Sequence, residues 1–93
     1  MKLTKKLKVK NKLGLHTRPA TAIVKLLQNC KSEVHFTHKR ETVNAKSILS
    51  ILMLAARRNS TITINIDGED AEKTLYLLEE AFENEFDEHQ KVR

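Results

Sequence analysis

The stretch TITINIDGEDAEKTLYLLEEAF, residues 61–82, changes its hydrophobic period in the middle. Before Gly68, Ile62, Ile64 and Ile66 alternate with polar residues, the period of a strand with one buried face. After it, Ala71, Leu75, Leu78 and Phe82 recur at helical spacing, which predicts an amphipathic helix over about residues 70–84. Glu69, Asp70 and Glu72 stand at its start, where the partial positive charge of a helix N-terminus favours acids.

The same two periods read backwards through the chain. SILSILMLAA, residues 47–56, is a short helix with Ser47 as its natural N-cap. RRNS turns the chain after it, with Asn59 suited to a left-handed backbone. EVHFTHKRETV, residues 33–43, reads as a hairpin in which Val34 and Phe36 alternate and Thr42 and Val43 begin the return. His35 and His38 lie three apart, so a strand puts them on opposite faces; both read as exposed and not as a metal pair. NKLGLHTRPATAIVKLL, residues 11–27, carries Ala20, Ile23, Val24 and Leu27 on one helical face. That helix spans about residues 17–29, with Pro19 in its first turn, where the missing N–H costs nothing, and His16 or Thr17 as cap. KLTKKLKV, residues 2–9, is a first strand whose alternation Lys5 interrupts. The order is β-α-β-β-α-β-α. It implies an α+β fold, an open-faced sandwich of one four-stranded antiparallel sheet with three helices on one face. Residues from about 85 onward read as a frayed tail.

A chain of 93 residues is one domain, here taken as residues 1–93. Cys30 is the only cysteine, so an internal disulfide and a four-cysteine metal cage are excluded; it reads as a small buried helix residue. No signal peptide is visible and no apolar run reaches the length of a membrane span, which points to a cytoplasmic protein with no membrane contact. The charge is lopsided. Residues 1–64 hold fourteen Lys/Arg and two acids, and residues 65–93 hold ten acids and three basic residues, so the two parts carry +12 and −7. Such asymmetry suits an acidic partner. A nucleic acid is not indicated, because only four aromatic residues occur, with no basic-aromatic stacking motif.

The chemistry concentrates at the mouth of the first helix. A helix N-terminus presents unpaired backbone N–H groups and binds anions. Arg18 adds a permanent charge whose fork fits phosphate oxygens, and Gly14 lets the preceding loop turn sharply. His16 places a nucleophilic imidazole at the same spot. Two readings follow: His16 carries a phosphoryl group, or it only caps the helix. There are no Walker glycines and no acidic metal cluster, so neither a cofactor nor a metal is indicated. A phosphoryl donor and acceptor would have to be other proteins.

GLHTRPA, residues 14–20, closely resembles the active-site motif of HPr, the phosphocarrier family of the phosphoenolpyruvate-dependent phosphotransferase system. TVNAKSIL, residues 42–49, resembles that family's second motif, around its regulatory serine. The resemblance covers essentially the whole chain. It implies the fold just described and a carrier, not an independent enzyme. It implies that His16 is phosphorylated on Nδ1 by Enzyme I and relieved by an EIIA domain, and that Arg18 and the backbone N–H groups of Thr17 and Arg18 hold the phosphate. It implies that Ser47 matches the serine phosphorylated by HPr kinase/phosphorylase. A monomer is expected. A related regulatory paralogue lacks the active histidine, so His16 argues against that assignment, whereas a nitrogen-type paralogue shares the motif. Arg40 stands where the hairpin turn commonly has glycine, and Asn59 replaces another loop glycine.

In ILSILML, residues 48–54, six of seven residues are apolar, more than a short helix can bury against one sheet face. Ile51 and Leu54 are expected in the core. Ile48, Leu49 and Leu52, with Thr17, are expected to form a docking surface beside the His16 loop.

Overall fold

Alternating isoleucines place β4, Thr61–Asp67, inside a sheet, and the other strands assemble around it. The computed structural model describes residues 1–90. The strands β1 (Lys2–Lys8), β2 (Glu33–His38), β3 (Glu41–Asn44) and β4 lie in the order β1-β4-β2-β3, with every neighbour antiparallel. Leu3 pairs with Ile66, Leu7 with Ile62, and Phe36 with Ile64. These residues turn the same way, toward helices α1 (Thr17–Leu27), α2 (Ile48–Met53) and α3 (Ala71–Glu83). The open-faced α+β sandwich expected from the sequence is the observed architecture.

The core follows the two periods. Ala20, Ile23 and Leu27 of α1, Ile51 of α2 with Leu54 just beyond it, and Ala71, Leu78 and Phe82 of α3 are buried against Val34, Phe36, Ile62, Ile64 and Ile66. Val24 and Leu75 flank the core half-buried. Phe36 and Phe82 meet edge to face with ring centroids 6.0 Å apart, a preferred aromatic geometry.

Lys5 lies on the helix side of the sheet, opposite Ile64, yet remains exposed. β1 is an edge strand, so the lysine stem runs along its rim and Nζ reaches Glu79 of α3 at 2.9 Å. Lys10 meets Glu83 in the same way at 2.8 Å. Part of the +12/−7 asymmetry is thus internal, with the acidic last helix lying against the basic first strand.

Several local expectations are corrected. α1 ends at Leu27, and Cys30 lies beyond the helix, half-buried. His35 and His38 are half-buried, not exposed, and His38 Nδ1 is 3.2 Å from the Leu54 carbonyl. In the hairpin the left-handed residue is Lys39, φ 58°, not Arg40; Arg40 therefore replaces a glycine without backbone strain. Asn59 is left-handed as expected, φ 74°. The tail does not fray at residue 85. Glu85, Phe86 and Asp87 adopt left-handed conformations and turn the chain back in a 3₁₀ segment, Glu85–Gln90, with Phe86 edge-on to Phe82 at 5.0 Å.

Asp70 stands at the N-cap of α3 but leaves that helix uncapped by its side chain. Its carboxylate instead accepts from Lys31 N at 2.8 Å, from Ser32 N at 2.9 Å and from the Ser32 hydroxyl. It thereby clamps the start of β2, beside Gly68, where a Cβ would collide with Ser32. The Ser32 hydroxyl first, then the two backbone N–H groups, outweigh partial desolvation and hold the Asp70 pKa down to about 2. A depressed folded-state pKa gives stability that is complete above the unfolded value of about 3.9 and is lost as pH falls from there toward 2. Asp70→Asn should therefore lower the urea midpoint at pH 7 and bring it closer to the parent's at pH 2. A difference between the two proteins that stays constant across that window would show that the clamp carries no linkage.

Candidate functional site

The site begins at Gly14. Its φ is 73°, and a Cβ there would lie 2.3 Å from the Ala56 carbonyl oxygen, so only glycine lets this loop lie against the turn after α2. Leu15 N then donates to that same carbonyl at 3.0 Å, and the Leu15 side chain enters the core. With the loop pinned there, His16 takes the N-cap position of α1 in extended geometry, and its carbonyl accepts the first helical bond from Ala20 N at 3.0 Å.

The His16 side chain makes no capping bond to its helix. The residue thus occupies the N-cap position without capping through its imidazole. In the first turn Pro19 has no N–H and the Ala20 N–H is committed, so Thr17 and Arg18 supply the backbone donors. Both residues are exposed, and the first turn contains no acid to oppose an anion. Arg18, Thr17 and Lys25 line a surface groove beside the helix mouth, with Phe86 and Glu88 on its other side.

Two residues at the site carry no signal in the sequence. Asn11 is fully buried; its amide donates to Glu88 Oε1 at 2.7 Å and to the Glu85 carbonyl at 2.9 Å. The other oxygen of Glu88 lies 2.6 Å from His16 Nε2. The contact is close but not aligned as a hydrogen bond, and Nε2 has no other partner. Partial burial pushes the Glu88 carboxyl up, but the Asn11 hydrogen bond, the charge and contact of His16, and Arg18 together hold it below its ordinary value. No periodicity marks a glutamate in an acidic tail, and a turn built from three non-glycine left-handed residues has no sequence signature.

Ser47 caps α2, its hydroxyl accepting from Ser50 N at 3.2 Å. Ile51 and Leu54 are buried as expected, and Ile48 and Leu49 are exposed. Leu52 is half-buried against the core, while Met53, which the apolar pattern did not single out, is exposed. Leu13, in the loop before His16, is exposed as well. α2 packs on α1.

Residues 3–84 match the family described as the PTS HPr component phosphorylation site. The chain belongs to the HPr family. It is 44% identical over 80 residues to the phosphocarrier protein HPr of Chlamydia pneumoniae, covering 86% of this chain and 74% of that one. It is 41% identical over 86 residues to the HPr of Xylella fastidiosa, covering 92% and 97%. The crystal structure of HPr-C-His from Thermoanaerobacter tengcongensis superposes with a TM-score of 0.88 at 30% identity, covering 92% of this chain and 97% of that one. The protein is thus an HPr-type phosphocarrier of the phosphotransferase system. Among the described residues no helix is long and apolar enough to cross a membrane.

Proposed function

We propose that His16 accepts a phosphoryl group from phosphorylated Enzyme I and passes it to EIIA domains, in the cytoplasm and as a monomer. The observation that carries this reading is the imidazole at the α1 N-cap, unused for capping and flanked by Arg18 and the free N–H groups of the first turn. In the transfer the Nδ1 lone pair attacks phosphorus and the donor's N–P bond breaks, its electron pair staying with the donor ring. The N–H groups of Thr17 and Arg18 and the Arg18 guanidinium take the phosphoryl oxygens. Onward transfer reverses the same step.

A second reading, regulation through Ser47, is favoured by that residue's position next to the exposed Ile48 and Leu49. A phosphate there adds nearly two negative charges to a patch that must be desolvated when a partner docks. An HPr kinase/phosphorylase would be its source. The two readings are compatible in one protein. Thr17, Ile48, Leu49 and Leu52 form the proposed docking surface, with Leu52 contributing only its half-exposed edge.

Incubation with phosphoenolpyruvate and Enzyme I should label His16 with an acid-labile, alkali-stable phosphoryl group, and His16→Ala should abolish it. Label of the same lability on the alanine variant would place the acceptor elsewhere. Arg18→Ala removes a charge-assisted contact worth about 1.5–3 kcal/mol from an exposed side chain. Transfer should slow by about tenfold or more with the circular dichroism spectrum unchanged; parental transfer rates would deny Arg18 its role. Ser47→Asp should lower Enzyme I-dependent labelling of His16 with little change in thermal midpoint, and kinase-treated protein should lose more, since aspartate carries less charge than phosphate. Equal rates for parent, aspartate variant and phosphoprotein would leave Ser47 as a helix cap only.

A further inference from the structure

The carboxylate beneath His16 lies beyond residues 3–84, the part of the chain that matches the HPr family. Four observations show that it is held there. The Asn11 amide spends one hydrogen on Glu88 Oε1 and one on the Glu85 carbonyl, and Asn11 is 1% exposed. Phe86 is anchored on Phe82. The turn that brings Glu88 back is built from three consecutive left-handed residues without glycine, a backbone that needs such anchoring to persist. Glu88 Oε2 then sits 2.6 Å from a His16 Nε2 that has no exposure to solvent.

At that distance the negative charge of the carboxylate lies closest to Nε2, where no solvent screens it, and it favours the positive end of an N–H there over the negative end of a lone pair. The carboxylate thus favours the neutral tautomer that carries its proton on Nε2 and leaves the lone pair on Nδ1. We propose that Glu88 is a positioning residue for phosphoryl transfer at His16: it fixes the ring proton on Nε2, leaves Nδ1 as the nucleophile, and balances the ring's positive charge once Nδ1 bears the phosphoryl group. This rests on the carrier reading of His16 given above.

The balance of the step supports the role. Nδ1 gives its lone pair to phosphorus and loses no proton, so the product ring keeps Nε2–H and carries a positive charge that the neutral ring did not have. Glu88 touches that ring directly, whereas the phosphoryl oxygens lie on the far side of it, in the hands of Arg18 and the first-turn N–H groups. Attraction at contact distance outweighs repulsion across the ring.

The test uses the full chain with Glu88→Ala and Glu88→Gln. Ring ¹⁵N shifts of His16, recorded on unphosphorylated protein at a pH where the ring is neutral, should show Nε2 protonated and Nδ1 unprotonated in the parent. In Glu88→Ala the two shifts should move toward each other as the tautomers mix. Glu88→Gln, which keeps the size but not the charge, should let the tautomers mix as the alanine variant does. Transfer from phosphorylated Enzyme I should slow by about tenfold in the alanine variant, and the phosphohistidine should hydrolyse faster in both variants. Ring shifts indifferent to Glu88→Ala in a parent that takes label would overturn the inference alone. Faster transfer in Glu88→Ala would also overturn it, making the tail a cover over the site. A parent that takes no label, but whose ring shifts respond to Glu88, would sink the carrier reading instead and leave the contact standing.

Discussion

The approach of the Gly14–Leu15 backbone to the Ala56 carbonyl is the constraint on which the site depends. Without it the loop between β1 and α1 has no fixed end. With it, the first turn of α1 starts at one place, against the turn that follows α2. The neighbouring turn is tied at two more points, Val9 N to Ser60 O at 2.8 Å and Asn59 N to Val9 O at 2.7 Å. The left-handed Asn59 makes the second of these bonds. The α1 mouth is thus attached through backbone groups to the segment between α2 and β4. Backbone anchoring leaves the side chains of Thr17 and Arg18 exposed and spares the His16 side chain from holding the loop.

Charge is arranged in the same spirit. The lysines of β1 lie on an edge strand, where they also protect the sheet from pairing with another chain, and α3 supplies Glu79 to Lys5 and Glu83 to Lys10 just beyond the strand. These are exposed pairs of small energetic weight. Their consequence is one of distribution. The acids of the chain's last third are gathered around β1, β2 and the tail, while no acid stands in the first turn of α1. The one acid brought to the mouth of α1 is Glu88 of the tail, against His16.

What could be read in the sequence was whatever has a period or a local rule. Ile62, Ile64 and Ile66 announced β4 because a strand repeats every two residues, and Ala20, Ile23 and Leu27 announced α1 because a helix repeats near every 3.6. Ser47 followed from cap chemistry and His16 from a motif. The misses are non-periodic. Asp70 looked like an acid for its own helix and instead grips Lys31 and Ser32, a contact across 38 positions that no local rule encodes. Lys5 looked like an error in a strand until the edge position of β1 gave its ammonium a way out. Leu52 is half-buried where exposure was expected, and Met53, for which no expectation was formed, is exposed, because a six-residue helix leaves its apolar faces to be decided by one neighbour's placement. The tail read as disordered because acidic, loop-forming residues without a stripe have no local reason to fold.

That tail shows how a long-range polar contact can act where packing cannot. Phe86 supplies the only large apolar group between Glu85 and Glu88, and one edge-to-face contact with Phe82 is too little to hold a turn with three left-handed residues in place. The remainder comes from Asn11, whose amide satisfies a tail carbonyl and a tail carboxylate at once. A buried amide NH₂ with two good acceptors is far cheaper than the same NH₂ unpaired, so the loop before α1 and residues 85–88 require each other. His16 lies at their meeting point. Any force that displaces the tail from the groove between Arg18 and Phe86 must then act on Asn11 and on the His16 imidazole together.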